Sequence, residues 1–236
     1  MTLTFVKPAP AGTTANILMY GPPGTGKTVG ACSAPGPVLV LNAEGQGALR
    51  KAREVHASTD IREVAVTGKK VLDDAYLYLR DGKGGERTVV VDTVGEVYRI
   101  LLEEFGGDRP TLQQYGDTNL VIERFVRALR DLDINVVLTA HEEVVMDGTT
   151  GETVRQPVTG GKKLPGNLMA QVDVVAYTGV VTEDGKPPRF VAQLVDGGGR
   201  RCKDRSGRLG QVRDVNIAEW LRAMAPAAAT SERKAA

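Results

Sequence analysis

Five short apolar runs recur along the first 140 residues: Asn16-Ile-Leu-Met-Tyr20, Val38-Leu-Val-Leu41, residues 61–66, Thr88-Val-Val-Val91 and Asn135-Val-Val-Leu138. Each is too short for a helix, and most are rich in β-branched residues. They read as strands, those at 16–20, 38–41 and 88–92 as buried ones, with the chain returning to the sheet at 135–138. Between them the spacing changes. A brief helix over residues 27–33 is broken by Ala34-Pro-Gly-Pro37, and helical spacing returns over residues 46–55, 70–79, 94–105 and 119–132, with a polar loop expected over 106–116. Beyond Ala140 the pattern turns β-rich. Residues 143–146 and 153–157 flank Asp147-Gly148-Thr-Thr-Gly151, a hairpin signal, residues 172–181 and 189–195 read as a second strand pair, and residues 215–224 as a closing helix with Ile217, Trp220 and Leu221 on one face. The order predicts one α/β domain over residues 15–225: a mostly parallel central sheet with helices on both faces and antiparallel C-terminal strands, between a flexible arm at 1–14 and a disordered tail at 226–236.

Composition narrows this picture without redirecting it. Hydrophobic residues are 42% and charged residues 25% of 236, near globular averages, and 30 basic against 29 acidic residues give a net charge of +1. A globally basic, histone-like chain is excluded, so nucleic-acid binding would need local clusters. Two cysteines make neither a disulfide scaffold nor a Cys-rich metal site. No apolar run reaches the 18 or so residues of a membrane span, and residues 1–10 lack the form of a signal peptide, which points to the cytoplasm and away from membranes.

Chemistry enters at Gly21-Pro22-Pro23-Gly24-Thr25-Gly26-Lys27-Thr28, which fits G-x-x-x-x-G-K-[ST] at every fixed position and stands between a strand and a helix. Such a match arises by chance in about one chain in a hundred of this length, before that context is counted. The loop, with Val29 behind it, predicts a phosphate cradle for ATP: backbone N–H groups and a helix N-terminus face the phosphates, Lys27 reaches the β/γ end, and Thr28 offers a hydroxyl to Mg²⁺. Asp92 ends a buried strand where a second Mg²⁺ partner is needed, and it could serve at once as N-cap of the next helix.

Hydrolysis also needs a carboxylate to orient the attacking water. GPPGTGKT is wording common in AAA+ proteins, but those resemble one another in a Glu directly after the metal Asp and in a C-terminal helical lid. Here Thr93 follows Asp92, and the C-terminal third reads as strands. Val38-Leu-Val-Leu-Asn-Ala-Glu44 instead resembles the RecA family, in which a strand-end Glu at this place is the catalytic base; Glu96 is the next candidate. His141 stands where that family carries an amide that senses the γ-phosphate, a departure in residue type. Thr159-Gly-Gly-Lys162-Lys163-Leu-Pro-Gly-Asn-Leu168 resembles the second DNA-binding loop of RecA-like recombinases, with Gly-Asn opening a helix, and the loop over 106–116, which holds Arg109, takes the place of the first. A strand over 200–205 resembles the paired cations, here Lys203 and Arg205, that reach a neighbouring subunit's nucleotide.

The likeness runs over about residues 15–210 and is greatest to the small RecA-like core proteins of bacteriophages, which act in single-strand annealing and recombination. It implies an ATP- and Mg²⁺-dependent protein in the host cytoplasm that self-associates into a ring or filament on single-stranded DNA, with a single-strand binding protein as a further candidate partner. Bland readings stand beside these. Glu44 could be an inert strand-end carboxylate, His141 a satisfied histidine, the basic stretch over 200–213 a solvated face, and Arg50 and Lys51 a helix surface and not site residues. Residues 145–170 hold three bases and two acids, a weak nucleic-acid footprint that leaves open an ATP switch acting on a protein partner, or a helicase-like motor.

Overall fold

The computed structural model describes residues 14–225. The expected arm, apart from Thr14, and the expected tail lie outside them. The chain runs β1 (Asn16–Tyr20), α1 (Lys27–Ala31), β2 (Val38–Asn42), α2 (Arg50–Val55), β3 (Ile61–Ala65), α3 (Lys69–Arg80), β4 (Thr88–Asp92), α4 (Val94–Gly106), α5 (Leu112–Arg130) and β5 (Asn135–Ala140). It continues through β6 (Glu142–Met146), β7 (Thr153–Pro157), α6 (Leu164–Gln171), β8 (Val174–Val181), β9 (Arg189–Gln193), β10 (Lys203–Asp204), β11 (Val212–Asp214) and α7 (Ile217–Met224).

The main sheet has the order β11-β9-β8-β1-β5-β4-β2-β3, with β10 also on β8. From β3 to β8 all neighbours are parallel; β9, β10 and β11 are antiparallel additions. Every residue of β2, β4 and β5 is buried, as continuous apolar runs require when helices cover both faces. Strand alternation then divides the core. Leu18 and Tyr20 face a cluster with Leu101, Ile122 and Leu129 from α4 and α5, whereas Ile17 and Met19 face one with Ala31, Leu49 and Trp220 on the α1, α2 and α7 side. The expected α/β class is present, and among the described residues no helix is long and apolar enough to cross a membrane.

Three local expectations fail. The polar loop over 106–116 is mostly helix, because Thr111 and Gln114 form a capping box that starts α5 at Leu112. Gly116 is carried inside that helix at a cost of about 1 kcal/mol relative to Ala, offset by the buried face of Ile122, Phe125, Val126 and Leu129. The helix expected from residue 46 begins only at Arg50, since Gly45 and Gly47 have φ of 97° and 90° and cannot belong to a right-handed helix. The strand expected over 200–205 is reduced to Lys203–Asp204.

Candidate functional site

β1 ends at the centre of the sheet, and the loop after it turns under two steric demands. Gly21 lies at φ 154°, and a Cβ there would stand 2.5 Å from the Thr178 carbonyl oxygen. Only glycine fits. Thr178 Oγ1 lies 2.7 Å from Thr25 Oγ1 and 3.2 Å from the Tyr20 carbonyl oxygen, so β8 holds the loop from one flank. Lys27 is buried, its Nζ donating to the Gly21 and Pro22 carbonyls at 3.0 and 2.8 Å. One of its three protons remains for a phosphate. Burial pushes its amine below the usual lysine range, opposed by the charges of Glu44, Asp92 and Glu142.

The other flank is acidic. Thr28 Oγ1 donates to Asp92 Oδ2 at 2.8 Å, and Thr139 of β5 donates to the other oxygen of the same fully buried carboxylate. The N-cap of α4 is Thr93, and both Asp92 carboxylate oxygens are taken by the Thr28 and Thr139 hydroxyls, so Asp92 serves the loop and not the helix start. A hydroxyl and a carboxylate side by side are hard oxygen donors of the kind Mg²⁺ accepts, and among the described residues no cluster of three or more His, Cys, Asp or Glu offers an all-protein metal cage. Thr28 and Asp92 thus fit Mg²⁺ held mainly through phosphate oxygens and water.

Glu44 follows β2 on a turn that Asn42 builds. Asn42 Oδ1 accepts from the Glu44 N–H at 2.9 Å, while its amide donates to the Gly45 carbonyl at 2.8 Å and to Glu63 Oε1 at 2.7 Å. The Glu44 carboxylate, with 29% of its side chain exposed, sits 3.2 Å from His141 Nε2. Burial raises the Glu44 carboxyl above its ordinary range, and the Asp92 charge adds to this; His141 and Lys27 work against it. His141 Nδ1 is buried without a partner. Loop residues 23, 24 and 26–29, Glu44 and His141 line one cleft of about 360 Å³, together with Lys51, Thr93 and Phe190.

A family model described as the AAA domain matches residues 13–206. The chain belongs to that family. It is an AAA-type P-loop ATPase domain, and the match reaches ATP binding without reaching the narrower phage RecA-like likeness. No curated protein matches the chain. The two departures from AAA+ proteins noted in the sequence are features of this AAA domain's fold: Thr93 follows Asp92, and β8 to β11 occupy the C-terminal third.

The remaining candidates lie apart from the cradle. Lys162 and Lys163 are exposed just before α6, on a segment packed over α4 and α5: a Cβ at Gly160 would strike the Tyr98 ring, and one at Gly161 the Asn119 amide. Gly166 and Asn167 do not open α6 but lie within it, with Asn167 bonded to Glu123 at 2.6 Å. Arg109 is exposed in the turn between α4 and α5. Lys203 and Arg205 do point the same way, Nζ of one to the Met169 carbonyl at 2.5 Å and a guanidinium N–H of the other to the Ala170 carbonyl at 2.9 Å, at the last turn of α6. Arg205 lies at the strand-start end of β1, away from the chain's own P-loop, since its N–H donates to the Asp173 carbonyl at 3.0 Å and the Asp173 N–H to the Asn16 carbonyl at 2.7 Å, while Lys203 pairs through Val175 with Leu18 at mid-strand. Nor is the basic stretch one face: Arg200 stacks 4.7 Å over the Tyr177 ring, Arg201 pairs with Asp147, and Arg208 reaches the Met224 carbonyl.

Thr139, Asn42 and Thr178 are the site residues that sequence reasoning missed. Each is a polar side chain within or at the end of an apolar strand run, and a buried polar side chain needs a partner; that was the available signal.

Proposed function

We propose that this AAA domain hydrolyses ATP with Mg²⁺ while assembled on single-stranded DNA, and that it promotes annealing or strand pairing in the manner of the small phage RecA-like proteins. In this reading Glu44 orients and deprotonates the attacking water, Lys27 stabilises charge on the terminal phosphate, and His141 senses that phosphate.

One observation carries the link to DNA. The Val158 N–H donates to the His141 carbonyl at 2.8 Å, so the segment bearing Lys162 and Lys163 is rooted on the residue that faces Glu44. A shift of His141 on phosphate contact would pass directly to that segment, and through Gly95, packed against the Val158 carbonyl, to α4. Lys203 and Arg205, turned from the chain's own P-loop, would then act on a neighbouring subunit's nucleotide, which requires a ring or filament.

The exposed Val144 and Met146 on the β6–β7 hairpin, 58% and 75% accessible, favour a second reading in which the nucleotide-driven segment docks a protein. Electron micrographs with ATP and Mg²⁺, with and without single-stranded DNA, separate the two. Filaments or rings that form on DNA support the first; isolated particles indifferent to DNA contradict it.

A further inference from the structure

A cradle that grips only phosphates would bind tripolyphosphate as well as ATP, and nothing on the acidic flank recognises a nucleoside. The direction in which a nucleotide must lie is nevertheless fixed by the sheet order. Glu44, Asp92 and His141 come from β2, β4 and β5, all on the β5 side of β1. A terminal phosphate placed there sends the sugar and base toward the opposite flank, where β8 and β9 stand.

Phe190 of β9 occupies that flank. Alternation puts it on the same face as Ala192, two residues on, and Ala192 is fully buried in the cluster with Ile17, Met19 and Trp220. Phe190 continues that row past the end of the core. It is 45% exposed, its ring edge stands 3.0 Å from where a Cβ on Gly26 would be, and it lines the same cleft as Lys27, Thr28 and Glu44. Among the described residues lining that cleft it is the single Phe, Tyr or Trp. Its backbone is fixed by pairing with Val180 and by the Val215 N–H, which donates to its carbonyl at 2.9 Å, so the ring is presented by a rigid strand and not by a loop.

We propose that Phe190 is the platform on which the nucleobase stacks, so that it distinguishes a nucleoside triphosphate from bare polyphosphate. The inference rests on the reading of the P-loop as a nucleotide site. Stacking on an aromatic ring tolerates any base, so Phe190 contributes affinity for the nucleoside half and selects weakly among bases.

The test compares two ligands on the full chain by calorimetry: ATP and inorganic tripolyphosphate, each with Mg²⁺. Phe190→Ala should weaken ATP about tenfold, the order expected when a stacked aromatic is truncated, and leave tripolyphosphate affinity within about twofold. Phe190→Tyr should keep both. Unchanged tripolyphosphate binding also certifies that the truncated variant is folded with its loop intact. Equal loss for both ligands would overturn the proposal by showing that the ring only supports Gly26, and no loss for either would overturn it as well. If the unaltered chain bound neither ligand, the P-loop reading itself would fall; tight binding of both with no effect of Phe190→Ala would leave that reading standing and remove this one.

Discussion

The two ends of the His141 linkage differ in how their charges are held. On the nucleotide side, Lys27 and Asp92 are buried and their polar atoms are bonded to Gly21, Pro22, Thr28 and Thr139. On the far side, Lys162, Lys163 and Arg109 are exposed. A buried charge costs several kcal/mol unless it is partnered, so a chain keeps one only where a partner is built. An exposed lysine costs almost nothing and carries no such record. The nucleotide site can therefore be read from its internal partners, and the proposed DNA-facing side only by supplying the external one.

Substitutions should reproduce that difference. The largest effect is expected of Lys27→Ala: tight ATP binding is lost, and because the side chain bonds only within its own loop the melting temperature should change little. Equilibrium nucleotide binding beside a thermal scan checks both parts. Asp92→Ala should act on both at once. It removes the acidic Mg²⁺ partner, leaves the Thr28 hydroxyl without its acceptor and leaves Thr139 only the Val91 carbonyl at 3.3 Å, so hydrolysis should vanish and stability fall by about 1–3 kcal/mol, read by urea denaturation.

Asn42→Ala should be milder. It frees the turn that carries Glu44 without touching the phosphates, so kcat should drop on the order of tenfold while ATP affinity holds. The smallest effect is expected on the exposed side. Replacing Lys162 and Lys163 by Ala should leave stability and ATP binding alone and flatten the salt dependence of single-stranded DNA affinity by about 0.7 in log–log slope per lost phosphate contact. Anisotropy across a salt series measures it, and a salt-independent affinity in the unaltered chain would turn the reading toward the protein partner.

What the sequence could and could not show follows the same physics. β1, β2, β4 and β5 were legible because strands covered on both faces leave unbroken apolar runs, and Gly21 to Thr28 because its glycines and lysine serve one purpose. The start of α5 was missed because Gly116 and the polar residues 113–118 resemble a loop, while the capping box that overrides them rests on Thr111 and Gln114 alone. Thr139 and Thr178 were missed for another reason: their partners lie 47 and 158 residues distant, pairings that periodicity does not carry, whereas Asn42 makes a local turn with Glu44 and Gly45 that the apolar run before it hides.

Glu44 joins the two regions, and its removal tests the account most directly. Glu44→Gln keeps the size of the side chain and takes away the base. ATP should bind within about threefold of the unaltered chain, while steady-state hydrolysis falls on the order of 10²-fold or more. In the unaltered chain, hydrolysis should fail as pH drops through the Glu44 pKa, because the base must be ionised. That pKa is raised by burial and by Asp92, so the loss should begin at a higher pH than for an exposed glutamate, and this acid limb should be absent from the residual activity of Glu44→Gln. Near-normal turnover in Glu44→Gln, with the acid limb unmoved, would contradict the account and return the base to another carboxylate.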